Sequence, residues 1–282
     1  MRIGRSWRSL AVLLPALALQ WTTGPLVAAR AEVTTRTIAY THEGVALKGY
    51  LAYDQALVGD GKSADAQSPG AGAGVLVIPE WWGLNDYAQR RARMLAQLGY
   101  VAFVADMYGQ GQVTTDPAQA KEWAAPFYGS PLMRTRAAAG LDELRKQPQV
   151  DPRRLAAIGY CFGGTAVQQL AYAGPDGLRA VVSFHGSITA PGPQDDANLH
   201  AAILICHGVD DSFVTREDLQ RFTEAMVRAK ADWLLIEYGN AVHSFTNPNA
   251  DTYHIPGVAY NAHADARSWA HMTLFLSEQL AP

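Results

Sequence analysis

The pentapeptide Gly159-Tyr160-Cys161-Phe162-Gly163 sets a cysteine between two glycines, each two residues away. It continues the apolar run Leu155–Gly159 and leads into a helical pattern reaching Ala173, so it reads as a strand-to-helix turn. In so tight a turn bulky side chains at the outer positions would strike neighbouring backbone, which calls for glycine. The central side chain then projects at a helix N-terminus, where the dipole favours an anion. The reacting form of cysteine is such an anion, the thiolate. Taken alone, the pentapeptide also fits a buried structural cysteine beside a glycine-rich turn. Two later segments favour chemistry. Ile203–His207 runs into Gly208-Val209-Asp210-Asp211-Ser212-Phe213-Val214, and Trp233–Tyr238 runs into Gly239-Asn240-Ala241-Val242-His243-Ser244-Phe245. A nucleophile, then an acid in a turn after a strand, then a histidine last, is the chain order of a catalytic triad. Cys161 is the nucleophile in this reading, Asp211 the acid and His243 the base. Asp210 is the competing acid, with a turn or cap role as its alternative. His185 and His207 end strands, while His254, His263 and His271 lie in or near the last helix without tight metal-ligand spacing.

The chemistry this order suggests is acyl transfer. His243 would share the Cys161 proton, and Asp211 would fix the imidazole tautomer and stabilise its charge. Attack on a carbonyl carbon creates an oxyanion, which needs preorganised N–H donors. The backbone N–H of Phe162, next to the nucleophile, is one; the second is expected from Trp81, in the loop after the strand Val75–Pro79. No metal or organic cofactor is called for by this pattern.

The remaining elements must hold those residues together. Thr34–Tyr40 and Val45–Tyr53 read as strands joined by His42-Glu43-Gly44. Asp54–Gly74 reads as a surface loop. Then come strand Val75–Pro79, helix Asp86–Leu98 capped by Asn85, strand Tyr100–Ala105, helix Pro131–Lys146 and the cysteine turn with its helix. Strands Arg179–Phe184 and Ala201–His207, helix Arg216–Lys230, strand Trp233–Tyr238 and helix Asn261–Leu280 complete the chain. Short apolar strands alternating with helices predict an α/β architecture, a mainly parallel sheet covered by helices on both faces. With the cysteine turn, this is the α/β-hydrolase fold.

Residues 1–31 are read separately. A basic start with Arg2, Arg5 and Arg8, an apolar run Leu10–Leu19 and small residues at Ala28, Ala29 and Ala31 follow the order of a cleaved secretory signal. Ala29-Arg30-Ala31 is the preferred cleavage triplet and Val27-Ala28-Ala29 the alternative. The run is shorter than the roughly 20 residues of a membrane span, and Pro15 interrupts it. Residues 32–282 are then one exported, soluble domain, periplasmic or secreted. The chain's 49% hydrophobic and 17% charged residues exclude disorder, and two cysteines exclude a disulfide scaffold. The signal holds four arginines and no acidic residue, so the remainder is more acidic than the formal −3 of the whole chain. Neither nucleic acid nor anionic lipid suits such a surface, and small molecules are the expected ligands.

The chain resembles the dienelactone hydrolase (carboxymethylenebutenolidase) family through Ile78-Pro79-Glu80-Trp81-Trp82-Gly83-Leu84-Asn85, Asp106-Met107-Tyr108, Gly159-Tyr160-Cys161-Phe162-Gly163-Gly164, Asp211-Ser212-Phe213-Val214 and His243-Ser244-Phe245. The resemblance implies a Cys161–His243–Asp211 triad. It also implies that Glu80 contacts the resting thiol and takes part in its activation. The family's two substrate-carboxylate arginines are replaced by Gln110 and Asn247, so the bidentate clamp is lost, and another arginine, such as Arg134 or Arg136, would have to replace it from elsewhere. Trp81, Trp82, Tyr108, Trp123, Phe127 and Tyr128 are candidates for an apolar pocket suited to an uncharged or aromatic ester or lactone. With Gln110 and Asn247, Trp82, Tyr108 and Trp123 make the expected substrate-binding set.

The leading expectation is thus an exported cysteine hydrolase of a lactone, ester or thioester, working through an acyl-enzyme. The alternative is a non-catalytic small-molecule-binding protein on the same fold. A Cys161–Cys206 disulfide is disfavoured, because strands two places apart lie about 9–10 Å from each other and a disulfide tolerates a Cα separation of about 7 Å at most.

Overall fold

The computed structural model describes residues 33–54 and 71–282. Residues 1–31 and most of the Asp54–Gly74 loop lie outside them, and with these the signal and its cleavage triplets. Eight strands form one sheet: β1 (Val33–His42), β2 (Val45–Asp54), β3 (Gly72–Ile78), β4 (Val101–Val104), β5 (Val150–Tyr160), β6 (Leu178–Phe184), β7 (Ala202–Gly208) and β8 (Trp233–Tyr238), in the spatial order β1-β2-β4-β3-β5-β6-β7-β8. The hairpin β1–β2 and the β2–β4 pair are antiparallel, and every pair from β4 to β8 is parallel. This is the architecture expected from the alternating pattern.

The helices are α1 (Asp86–Gln97), α2 (Pro117–Ala124), α3 (Leu132–Arg145), α4 (Phe162–Ala173), α5 (Arg216–Ala229) and α6 (Ala262–Gln279). Their starts follow from local chemistry. Asn85 caps α1 by accepting from Ala88 N–H, Asn261 caps α6, and Thr215 with Asp218 forms a capping box on α5. The helices α1 and α6 cover one face of the sheet, where Leu95, Met272 and Phe275 are buried. The other face carries α3, α4 and α5, with Leu141, Leu170 and Phe222 in its core. The central strands β3 and β4 are therefore apolar on both faces, as a doubly covered parallel sheet requires.

Strand β3 begins at Gly72, taking three residues from the expected Asp54–Gly74 loop, and two further features depart from the expected elements. Strand β5 starts at Val150, because Val150 and Asp151 pair with Gly72 and Ala73 before Pro152-Arg153-Arg154 bulges out and pairing resumes at Leu155. Apolar patterning cannot reveal those first residues. The short α2 was not anticipated, although Asp116 caps it and Pro117 opens it.

Candidate active site

The turn after β5 is strained in the way its glycines foretell. Cys161 has φ +53° and ψ −115°, outside the regions open to an unstrained residue. A Cβ on Gly159 would stand 2.0 Å from Gly163 O, and one on Gly163 would stand 2.1 Å from Ile78 O. The second approach seats the start of α4 against the end of β3, so the loop bearing Glu80 and Trp81 meets the cysteine turn. The first helical residue, Phe162, has an N–H that precedes the helix's own bonding ladder.

Asp211 and His243 come from the turns after β7 and β8. His243 Nε2 lies 3.1 Å from Cys161 Sγ, and Nδ1 lies 2.9 Å from Asp211 Oδ2. Asp211 is buried and its other oxygen accepts from Phe213 N–H, whereas Asp210 is exposed. The pairing thus selects Asp211. The backbone of His243 is pinned by bonds between its N–H and Gly257 O and between its O and Ala259 N–H. Burial opposes a charged imidazole at His243, but the neighbouring Cys161 sulfur and the bond to Asp211 outweigh it and raise its pKa to about 10. A thiol, an imidazole and a carboxylate in this chain can pass a proton from sulfur to nitrogen.

Glu80 departs from the role that the resemblance implies. Its side chain is buried, with Oε1 accepting from Ser244 Oγ at 3.0 Å and Oε2 from Asn247 Nδ2 at 2.6 Å. The hydrogen bond of Cys161 Sγ runs to His243 instead. Asn247 is likewise not a wall of the cavity: it is fully buried, because its amide is the partner that a buried carboxylate needs. Gln110 is exposed on a turn bonded to Ala46 O and also stands outside the cavity lining.

Cys161 opens into a cavity of about 210 Å³ lined by Trp81, Trp82, Tyr128, Phe162, Ser187, Phe213, His243, Ser244, Ile255 and Val258. Of the expected apolar residues, Trp81, Trp82 and Tyr128 line it. Tyr108 and Trp123 stand behind: Tyr108 donates to Trp81 O at 2.9 Å and packs on Phe162, and Trp123 packs on Tyr108. They buttress the wall rather than form it. Asp106 shapes that buttress, since its carboxylate accepts four backbone N–H bonds, from Lys48, Tyr108, Gly109 and Gly111. Arg136 is turned away onto Met107 O and His42, and Arg134 is paired with Asp195.

His185, read from the sequence only as a histidine that ends a strand, stands against the nucleophile. It is buried with φ +40°, and its Nδ1 accepts from Cys161 N–H at 3.1 Å while Nε2 meets Thr246 Oγ1 at 2.7 Å. Burial holds its pKa well below 6.5, so it stays neutral and can keep accepting that bond. Its place directly after β6, the neighbour of β5, was the available signal. Cys206 is a free, buried thiol on β7, with β6 between it and β5, and its burial pushes its pKa up to about 12.

A mainly parallel sheet with a strained cysteine at the tip of β5, and an acid and a histidine on the next two loops but one, defines an α/β-hydrolase. Within that class the chain belongs to the dienelactone hydrolase family, whose model matches residues 60–280. It is similar to P91, a dienelactone hydrolase-like promiscuous phosphotriesterase from metagenomic libraries, at 41% identity and a TM-score of 0.80, over 88% of this chain and 99% of that one. An uncharacterized protein of Caenorhabditis elegans is 37% identical over 53% of this chain and 95% of its own length. A protein of Aquifex aeolicus provisionally named carboxymethylenebutenolidase is 23% identical over 80% of this chain and 93% of its own.

Proposed function

We propose that this hydrolase uses Cys161 to cleave an uncharged lactone, carboxylic ester or thioester through a covalent acyl-enzyme. The observation that carries the reading is the hydrogen-bonded chain Cys161–His243–Asp211 opening into an aromatic cavity. His243 takes the thiol proton, and Sγ attacks the carbonyl carbon. The oxyanion is held by the N–H groups of Phe162 and Trp81. Collapse expels the alcohol or thiol, which leaves with the proton from His243. A water deprotonated by His243 then cleaves the acyl-enzyme, releasing the acid and restoring the thiol. With Gln110 outside the cavity lining, Asn247 on Glu80, and Arg134 and Arg136 engaged elsewhere, no lysine or arginine among the described residues lines the cavity to bind a substrate carboxylate.

Export belongs to the same reading and rests on the order of basic, apolar and small residues in 1–31. Glu80, held by Ser244 and Asn247, leaves the thiol engaged with its base before substrate arrives. The test is turnover of 4-nitrophenyl acetate by the wild-type and Cys161→Ala proteins, with intact-mass detection of the acyl adduct. We expect a loss of at least about a thousandfold in the variant and an adduct in the wild type only. Unchanged turnover by Cys161→Ala would overturn the mechanism.

A further inference from the structure

One face of α4 serves two cavities. Cys161 and Phe162, at its start, line the catalytic cavity, and Thr165 and Gln169 line a second one of about 480 Å³. Positions 161, 165 and 169 fall on one stripe, with about 5.4 Å between successive turns. The segment after β6 repeats the arrangement, with Ser187 on the first cavity and Thr189 on the second. Tyr128 lines both cavities, half of its surface exposed and its ring edge-on to Phe162 at 5.9 Å. Three separate segments therefore place the second cavity beside the nucleophile, and Tyr128 is the wall between.

The chemistry of the second cavity differs from that of the first. Arg134 gives both terminal nitrogens to the Asp195 carboxylate at 2.9 Å and its Nε to Gln169 Oε1 at 2.9 Å. The hydrogen bond from Arg134 holds the Asp195 carboxyl below its usual range, so the pair stays ionised and its charges cancel. A guanidinium has five N–H groups, and three are used here, leaving two donors. Gln169 Nε2 donates to Thr189 Oγ1 at 3.1 Å, which fixes the far wall. The lining thus mixes these polar groups with Phe127, Pro131 and Met133; its one ion pair is compensated in charge, and Arg134 keeps spare donors. Oxygen acceptors without charge match those donors, whereas a carboxylate would find the Arg134 charge already cancelled by Asp195.

We propose that this cavity is a second substrate subsite, which takes an uncharged, oxygen-bearing part of the acyl chain while the reacting carbonyl sits at Cys161. The inference rests on the hydrolase reading above and adds the class of substrate to it.

The experiment compares kcat/KM for four 4-nitrophenyl esters: the acetate, a long alkanoate, an equally long acyl chain interrupted by ether oxygens, and one ending in a carboxylate. We expect the ether ester to exceed the alkanoate about tenfold in the wild type, the size of one or two net hydrogen bonds. Arg134→Met and the double variant Arg134→Met/Asp195→Asn, which remove the spare donors, should bring that ratio towards one. A wild-type ratio within twofold of one, with the acetate still hydrolysed, overturns the subsite. So does an unchanged ratio in folded variants, or a tenfold preference for the carboxylate ester over the ether ester. Should neither variant fold, the wild-type ratio alone decides. Failure of the wild type on all four esters, the acetate included, overturns the hydrolase reading and the subsite with it.

Discussion

Glu80 is a carboxylate with nowhere to place its charge but on two neutral donors. Burial raises its pKa above 4.5, and the hydrogen bonds from Ser244 and Asn247 only partly oppose that. Between pH 4.5 and the raised folded value the unfolded chain has released a proton that the folded chain keeps, so stability falls as pH rises through that window. Glu80→Gln keeps the shape and removes the titration. The urea midpoint of the wild type, relative to that of Glu80→Gln, is expected to decline as the pH rises above about 4.5. A constant difference would mean that Glu80 ionises like a surface carboxylate. Substituting Asn for the family's arginine at position 247 thus changes two things together: the cation is gone, and what replaces it is bonded to Glu80 inside the protein. His185 shows the converse, a residue whose neutrality matters, because only a neutral ring can accept from the Cys161 amide.

The strand-turn-helix unit β5–α4 carries the nucleophile, and it depends on what the neighbouring strand allows. Gly163 lets the first turn of α4 touch the end of β3, where a Cβ would meet Ile78 O at 2.1 Å and Pro79 O at 2.6 Å. Both contacts are to backbone, which cannot rotate aside. Gly163→Ala is expected to cost about 3 kcal/mol and to displace the loop carrying Trp81. Thermal unfolding followed by circular dichroism, with ester turnover measured in parallel, tests this. A variant with wild-type values in both would show that the β3 loop can yield. The turn after β8 is held in a similar way, with Ser244 at φ +57° next to His243. Backbone strain at Cys161, His185 and Ser244 therefore surrounds the reacting atoms, where a packed framework can hold it.

Across the whole molecule, Arg91 joins the layers behind the site. Its side chain is buried, and NH2 donates to Thr246 O at 2.7 Å and to Asp265 Oδ1 at 2.5 Å. The guanidinium also lies over the rings of Tyr87, Tyr160 and Trp269, between 5.2 and 5.4 Å from their centroids. Four segments meet there: α1, the end of β5, the loop after His243, and α6. Through Thr246 the same cluster reaches His185, and so the amide of Cys161. Arg91→Met leaves Thr246 O without this donor and Asp265 without its cation, with only the Tyr260 hydroxyl still donating to that carboxylate. The expected cost is about 3–5 kcal/mol, or roughly a 10 °C fall in Tm for a domain of this size. Differential scanning calorimetry checks it, and an unchanged Tm would show that water replaces the guanidinium freely.

How much of this was legible in the sequence depends on how far apart the interacting groups lie along the chain. The order of strands and helices, the cysteine turn and the choice of acid and base are local: apolar period, cap residues and glycines at a tight turn act over a few neighbours. Trp81 follows in the same way from the strand before it, whereas Trp82 enters only among the aromatic candidates considered with the family resemblance. The partners of Glu80 and the neutral pairing of Arg134 with Asp195 could not be read that way. They join residues 61 to 167 positions apart. A carboxylate or an arginine in a sequence shows only its own charge. Whether that charge faces substrate or is cancelled inside the protein is decided by which side chain the fold sets against it, because desolvation makes an unpaired buried charge too costly to keep.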